Sequence, residues 1–470
     1  MSNSVIIIGA GPGGYVAAFE AARSGMSTTL VESADLGGVC LNSGCIPTKT
    51  IRASADALQC AGRLAEFGIS AEGQFRVDMA AVVARKERVR KLLCGGLEKT
   101  CAALKVRLSR GRAELLGNGR VRVRGQSGTE ELQADSIIIA TGSRILDLPS
   151  LPVDHTYILT SDDALNLDHV PGRLLIVGGG VIGCELAFIF RAFGSEVTVV
   201  EGLSRLLPLP SVDEEISKLL QREAKKRGIR AELARTVKSA EVIDGNVRCV
   251  LGPSPFVEGA AGPETEVEAD MVLVAVGRSP NTEGLGLAAA GVETDARGWI
   301  KADNRMRTSA PGVYAIGDVL GPSRVMLAHV ASAEGLCATA NCLGRETSLE
   351  YSVIPSAIFT SPEIGTVGLS EAEAKEKGLN VRSSLFQFRE LGKAQAMGEL
   401  PGLFKLVCEA DSGKILGAHI AGAHASDLVA EAALAIKNGL SAADIAHTIH
   451  AHPTLAEGLY EAAELWLRGK

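Results

Sequence analysis

The chain has 470 residues, 46% of them hydrophobic and 22% charged, with a formal net charge of −7 at pH 7. That is ordinary globular composition at a length suited to about three domains. The acidic excess argues against nucleic acid or an anionic membrane as the main partner, and no apolar run approaches the roughly 20 residues that span a bilayer.

The first predicted element is a strand, Val5-Ile6-Ile7-Ile8, which already reads as core and leaves no room for a signal peptide before it. A reducing cytoplasm is the expected location, with most of the ten cysteines reduced. The strand runs into Gly9-Ala10-Gly11-Pro12-Gly13-Gly14, a helical stretch from Tyr15 to Arg23, and a second strand, Thr28 to Val31, ending in Glu32. Gly9, Gly11 and Gly14 are spaced for a tight turn, close approach to a pyrophosphate and a helix-to-strand contact, with the helix N-terminus facing the phosphates. Glu32 is placed to accept a ribose hydroxyl. A lone glycine fingerprint is weak, but one framed by strand, helix, strand and terminal acid is strong.

Next comes Gly37-Gly38-Val39-Cys40-Leu41-Asn42-Ser43-Gly44-Cys45-Ile46-Pro47-Thr48-Lys49. In a regular helix, residues five apart point about 140° away from each other. A disulfide needs Cα atoms within roughly 4.4–6.8 Å and converging Cβ vectors. Cys40 and Cys45 can therefore pair only across a distorted backbone, which Asn42, Ser43 and Gly44 permit. A helix resuming at Cys45 puts the Lys49 ammonium on its face and favours thiolate. Such a disulfide is labile, as a redox-active one should be. Cys337 and Cys342 have the same spacing without Gly or Pro between them and read as packing residues. The eight cysteines outside the pair, Cys60, Cys184 and Cys408 among them, are expected to be buried and inert.

The nucleotide layout then returns. Leu174 to Val177 leads into Gly178-Gly179-Gly180-Val181-Ile182-Gly183, and Glu196 to Val200 ends in Glu201. First glycine and acid are 23 residues apart in both copies, 9 to 32 and 178 to 201. Two nucleotide sites follow, and a carboxylate at 201 repels a 2′-phosphate, which favours NAD over NADP. Later, Gly312 to Asp318 reads as an apolar strand ending in a carboxylate suited to a hydroxyl of an extended dinucleotide. From about Glu346 the pattern changes to strands such as Leu403 to Val407 and Ala-rich helices such as Asp427 to Asn438, an α+β arrangement. Four of the eight histidines, His424, His447, His450 and His452, lie in the last fifty residues, without the spacing of a zinc site, so no metal is expected.

Assembled, these residues resemble the pyridine nucleotide-disulphide oxidoreductases from Gly9 to about Glu464. The most specific pieces are Cys40 to Lys49, Ala140-Thr141-Gly142, Val276-Gly277-Arg278, Gly317-Asp318, Met326 to His329 and His450 to Glu457. The resemblance implies two Rossmann-like dinucleotide-binding domains and a C-terminal α+β dimerisation domain. A discontinuous FAD domain would take residues 1–145 and 270–345, an NAD domain 146–269, and the interface domain 346–470. It implies that Gly9, Gly11, Gly14, Glu32, Gly37, Gly38, Lys49, Ala113, Thr141, Gly142, Asp318 and Ala328 line FAD. Gly178, Gly180, Gly183, Glu201, Val237, Ala275, Gly277 and Arg278 would line NAD. Cys45 would be the thiol nearest the flavin and Cys40 the one that exchanges with substrate, with Lys49 paired to Glu185. His452, oriented by Glu457, would take the thiol proton at the other subunit's site of a homodimer.

The implied reaction is oxidation of dihydrolipoamide with reduction of NAD, served to a lipoyl-bearing acyltransferase or a glycine-cleavage carrier protein. The chain opens directly on the flavin fingerprint, so no fused lipoyl domain is expected. No cysteine follows Cys408, which weighs against relatives with a redox pair in the tail. The competing readings are a reductase of another small disulfide and a redox-sensing subunit that holds FAD and NAD without turnover.

Overall fold

A computed structural model describes residues 3–126 and 128–469. The chain divides into two compact units. One comprises Met1–Ile51, Asp78–Leu146 and Gly277–Glu350; the other comprises Arg52–Val77, Asp147–Val276 and Tyr351–Lys470.

The first unit is built on a five-stranded parallel sheet in the order Val313–Ala315, Ser136–Ile139, Ser4–Ile8, Ser27–Glu32, Arg107–Arg110. Its central strands are continuous apolar runs because both faces are covered. Val5 to Ile8 and Ile137 to Ile139 are all buried. The fingerprint helix Pro12–Arg23 packs on the helix Ala328–Cys342, and a Cβ on Gly335 would lie 2.6 Å from the Gly13 carbonyl oxygen, so glycine sets the approach. Cys337 and Cys342 are free thiols within that unbroken helix, as expected. An antiparallel sheet, Arg112–Gly117, Arg120–Gly125 and Gly128–Gln133, completes the unit.

The second unit repeats this plan. Its parallel sheet runs Arg230–Leu233, Glu196–Glu201, Arg173–Val177, Met271–Val274, Ile158–Leu159, and its antiparallel sheet is Arg235–Ile243, Asn246–Pro253 and Thr265–Ala269. Central strand, second strand and first glycine recur at one offset of 169 residues (4 to 173, 27 to 196, 9 to 178). The sheets differ in where the chain supplies the fifth strand, late in the first and early in the second.

The C-terminal part of this unit is a five-stranded antiparallel sheet, Ser356–Ile358, Ile364–Gly368, Ile415–Ala421, Leu403–Glu409, Val381–Gln387. Helices Ala425–Lys437 and Glu457–Leu467 pack against it. Phe388 and Phe404 stack at 5.5 Å within its core, beside Leu406, Ile420 and Val429. Strand 403–409 and helix 425–437 contain or closely match the expected Leu403 to Val407 and Asp427 to Asn438.

One sequence expectation is corrected. Cys101, Cys184, Cys249, Cys337 and Cys408 are buried and Cys94 and Cys342 are half-buried, but Cys60 is exposed. In the helix Cys45–Gly62 it shares the outward face of Ala53, Asp56 and Ala57, at the i, i+3, i+4, i+7 spacing of one helical stripe. Among the described residues no helix is long and apolar enough to cross a membrane, and no group of side chains could hold a metal.

A buried ionic cluster pins this unit. Lys405 Nζ lies 2.9 Å from Asp213 Oδ1 and 2.8 Å from Glu371 Oε2. Asp213 also caps the helix Glu214–Lys226 through the Glu215 amide. Burial opposes the charge on Asp213, but the Lys405 ammonium still holds its carboxyl below the usual range. Lys375, then Lys405 and Ser383, hold Glu371 down to about 2. Removing the cation strands a buried carboxylate, so Lys405→Met should cost about 3–5 kcal/mol in urea unfolding. The sign of the pH effect follows from the depressed Glu371: its contribution is complete above the unfolded value of 4.5 and lost as pH falls towards about 2. Glu371→Gln should flatten the urea midpoint over that acid window and leave it unaltered in shape above it.

Candidate active site

The two fingerprints use glycine in the same three ways. Gly9 and Gly178 have φ of +102° and +111°, and a Cβ on either would collide with a carbonyl oxygen, that of Ala140 or Ala275. A Cβ on Gly14 or Gly183 would collide with the carbonyl oxygen of the first glycine, so helix and strand meet there by backbone alone. The middle positions differ: nothing lies within 4 Å of a Cβ on Gly180, and only the Gly38 Cα, at 3.8 Å, is near one on Gly11. Those middle glycines cap the helices Pro12–Arg23 and Val181–Phe193, which have neither a side-chain cap nor an acid in the first turn. Their first amides therefore remain to meet a phosphate.

The acids match too. Glu32 accepts the Ala10 amide at 2.8 Å with one oxygen and the Ala34 amide at 2.9 Å with the other. Glu201 accepts those of Gly179 at 2.6 Å and Leu203 at 2.7 Å. Each carboxylate clamps its loop and keeps lone pairs for a ribose hydroxyl. Thr141, in the turn packed on Gly9, has a buried hydroxyl without a hydrogen-bond partner, a polar atom that a dinucleotide would satisfy. Open space at the middle glycines, uncapped helix ends and this orphaned hydroxyl together fit FAD in the first unit. The same open cradle at Gly180 fits NAD in the second.

Asp318 lies in a short 3-10 turn, Gly317–Leu320, after its strand. Its Oδ2 accepts the Ser143 hydroxyl at 2.7 Å, and the buried Glu334 accepts the Gly317 amide at 2.6 Å. Arg278, grouped by sequence with the second nucleotide, donates to the Ser143 hydroxyl at 2.5 Å and carbonyl at 2.7 Å, 3.8 Å from Asp318. The cause is register: Arg278–Pro280 pairs antiparallel with Ser143–Ile145 in the first unit. Ala113 sits on the strand Arg112–Gly117 and Val237 on Arg235–Ile243, while Gly142 and Gly277 have positive φ. Ala328 opens the helix Ala328–Cys342.

Above the first fingerprint, Gly37 donates its amide to the Ala10 carbonyl at 2.8 Å, and a Cβ on Gly38 would sit 2.6 Å from the Gly11 Cα. A one-turn helix, Gly38–Asn42, then stops at Ser43, whose φ of −145° is not helical, and a new helix begins at Cys45. The break brings the thiols together. The Cys45 sulfur, by its hydrogen bond, followed by burial, pushes the Cys40 thiol up; Lys49 pulls the other way. Lys49 stands one turn beyond Cys45 in the helix Cys45–Gly62. Asn42 fixes the break by donating to the carbonyls of Gly38 at 2.9 Å and Leu36 at 3.1 Å. Tyr15 flanks the dithiol, and burial, then Cys40 and Cys45, raise its phenol. Sequence reasoning missed Tyr15, although a polar aromatic ring directly after the fingerprint glycines was a signal. Glu334 gave none.

In the second unit, His452 Nδ1 is 2.8 Å from Glu457 Oε1, and Glu457 Oε2 accepts the Thr454 amide at 2.8 Å. The Thr454 amide, then His452, hold the Glu457 carboxyl below its ordinary value. The His452 side chain is 76% exposed. The side chain of its neighbour His450 is only 7% exposed and uses both ring nitrogens, on the Thr448 carbonyl and Glu431. Geometry thus separates two histidines that sequence position could not. Glu185 is buried and accepts the Phe359 amide at 2.9 Å.

The family model described as pyridine nucleotide-disulphide oxidoreductase matches residues 3–335, and the dimerisation domain of the same family matches residues 354–463. The dihydrolipoyl dehydrogenase of Chlamydia muridarum is 42% identical over 462 residues, 98% of this chain and 96% of that protein. That of Geobacillus stearothermophilus is 40% identical over 468 residues, 99% and 97% of the two chains. Among solved structures, LpdA of Mycobacterium tuberculosis superposes with a TM-score of 0.89 at 27% identity over 98% of this chain and 99% of that one. The HOCl-induced flavoprotein disulfide reductase RclA of Escherichia coli gives 0.85 at 26% identity, over 98% and 99%.

The contrast between glycines yields a test. Gly11→Ala and Gly180→Ala place a methyl in open space, so both variants should fold with the far-UV circular dichroism of the wild type. The first should lose flavin absorbance, and the second should keep it while binding NADH roughly tenfold or more weakly. Gly14→Ala, with no room for its methyl, should not accumulate folded.

Proposed function

The chain belongs to the pyridine nucleotide-disulphide oxidoreductases, and on that premise we propose that it oxidises protein-bound dihydrolipoamide to lipoamide with NAD as acceptor, the dihydrolipoyl dehydrogenase reaction. The carrying observation is the contact of Cys40 with Cys45 across a helix break stacked directly on the first nucleotide loop. Residues 1–145 and 270–345 form the FAD domain in this reading, 146–269 the NAD domain and 346–470 the homodimer interface. The matched dimerisation domain supports the last of these.

The disulfide is the oxidised form. A dihydrolipoyl thiol loses its proton to His452 Nε2 of the other subunit, and the thiolate attacks Cys40 Sγ. The Cys40–Cys45 bond breaks, Cys45 leaves as thiolate, and a mixed disulfide joins Cys40 to the substrate. The second substrate thiol then attacks its own partner sulfur, releasing lipoamide and the Cys40 thiol. Lys49 favours the resulting negative charge, and the hydrogen bond between the sulfurs keeps a proton on Cys40. Bound FAD would take the electron pair from this dithiol and deliver it as hydride to NAD. Glu457 holds the imidazole with Nδ1 inward, so Nε2 is the atom that meets substrate. Glu185, paired with Lys49 in this scheme, is anchored by the Phe359 amide.

The partners fitting this chemistry are a lipoyl-bearing acyltransferase or a glycine-cleavage carrier protein. A cytoplasmic location suits the eight cysteines outside the Cys40–Cys45 pair, which are thiols. A reductase of another small disulfide is the second reading, favoured by the likeness to the Escherichia coli enzyme but at lower identity than the dihydrolipoyl dehydrogenases.

Cys45→Ser should abolish dihydrolipoamide turnover and leave flavin bound; full turnover in that variant would refute the scheme. His452→Gln should slow dihydrolipoamide oxidation by about 10²–10⁴ while NADH oxidation by an artificial acceptor stays near normal, and equal losses in both assays would remove His452 from its role. Glu457 stays ionised below the ordinary carboxylate range. Its orienting effect is therefore present above that range and lost as pH falls through its depressed value.

A further inference from the structure

Three loops meet at the C-terminal edge of the second parallel sheet. The first follows Glu201 through Gly202 and Leu203. The second is the Ala234 corner, where φ is +52°. The third is the hairpin tip after Pro253, carrying Ser254, Pro255 and Phe256. Backbone bonds tie them in series: the Ala234 amide donates to the Leu203 carbonyl at 2.9 Å, and the Ser254 amide to the Ala234 carbonyl at 2.9 Å. Ser254 is buried, and its hydroxyl accepts the Phe256 amide at 3.1 Å. The tip is thus fixed to the strand end that carries the ribose-facing acid.

Phe256 is nevertheless 70% exposed. Its ring edge lies over Gly202, where an added Cβ would be 3.0 Å from Cδ2. Only glycine leaves the ring this close to the residue after Glu201. A single exposed apolar side chain needs no explanation, but this one has company: Leu203, Ile182 and Val276, each more than a third exposed, lie on the same edge of the sheet. Ile182 is in the first turn of the fingerprint helix, and Val276 follows Ala275, whose carbonyl packs on Gly178. Apolar surface therefore surrounds a site whose polar groups are the Glu201 carboxylate and the helix amides. That combination suits a ligand with an anionic middle, a hydroxylated sugar and a flat apolar end. In a dinucleotide the flat ring nearest the Glu201-bound ribose is adenine.

We infer that Phe256 is the stacking platform for the adenine of the second dinucleotide, closing that end of the site over Gly202. This rests on the reading of the second fingerprint as the NAD site and adds a residue that the fingerprint does not contain. A Phe ring offers a base a face without a directional hydrogen bond. The ribose acid selects the 2′-hydroxyl while Phe256 supplies affinity for the ring.

Calorimetric titration of the flavin-loaded holoenzyme with ADP-ribose, and separately with nicotinamide mononucleotide, tests this. Phe256→Ala should weaken ADP-ribose binding roughly 5- to 150-fold, the range of one lost base stack, and leave nicotinamide mononucleotide unaffected. Phe256→Trp should retain ADP-ribose affinity, and its added indole should be quenched by ADP-ribose and not by nicotinamide mononucleotide. The native tryptophans, Trp299 and Trp466, are both buried and set the background. Equal ADP-ribose affinity in wild type and Phe256→Ala, or an unquenched indole, would overturn the platform alone. A parallel loss for both ligands in Phe256→Ala would reduce Phe256 to a loop-packing residue. Failure of the wild-type holoenzyme to bind ADP-ribose at all would overturn the NAD-site reading and the platform with it.

Discussion

A contact without side chains joins the cofactor chemistry to the sulfur chemistry. Gly38 lies on Gly11 so closely that a Cβ on it would be 2.6 Å from the Gly11 Cα, and the Gly37 amide holds the Ala10 carbonyl. Gly11 is also the residue whose missing side chain leaves space for a pyrophosphate. One glycine pair therefore fixes two distances, from nucleotide loop to phosphate and from nucleotide loop to the turn bearing Cys40. In the proposed chemistry the redox pair needs no long-range device to find the cofactor, because Cys40 follows directly on the loop proposed to hold it.

The same economy explains why the two halves diverge after a common start. Both have a first glycine forced to positive φ, a third glycine meeting the first, and an acid clamping the loop from the next strand. After Glu32 the chain continues into Gly37, Gly38 and the broken helix. After Glu201 it continues into Gly202 and loops tied to a hairpin. The fingerprint is a shared cradle, and the segment after the acid decides what is brought to it: sulfur in one copy, an aromatic ring in the other.

Much of this was legible in the sequence because it is local. The fingerprint glycines, terminal acids and broken helix are set by neighbours within a few residues, where spacing and φ preference speak directly. Less legible were contacts made by topology. Arg278 reaches Ser143 and Asp318 because a short antiparallel pair joins segments 135 residues apart. Glu334 supports Gly317 from a helix face with no motif of its own. Lys405 reads as a polar residue in an apolar strand, and only the fold reveals Asp213 and Glu371 on either side. Cys60 went the other way: cysteine is usually buried, yet its place on the helix stripe of Ala53, Asp56 and Ala57 turns it outward. Composition gives the average and helical phase gives the case.

The two histidines show why a site is more than its residue types. His450 and His452 each hold a glutamate, at 2.9 and 2.8 Å. The first has both nitrogens engaged within the chain, so neither is open to a substrate. The second has Nδ1 fixed by a carboxylate that stays ionised, and its ring stands in the open. A general base requires one nitrogen anchored and the other accessible. His452 meets both conditions and His450 meets one. An anchored but exposed imidazole is wasted on a single chain and useful against a second one. The sulfur site has the complementary need, since a substrate thiol must lose its proton before it attacks Cys40 and exchange requires an external acceptor. Each half of the proposed chemistry is therefore incomplete within one chain, which is the physical reason for building such an enzyme as a dimer.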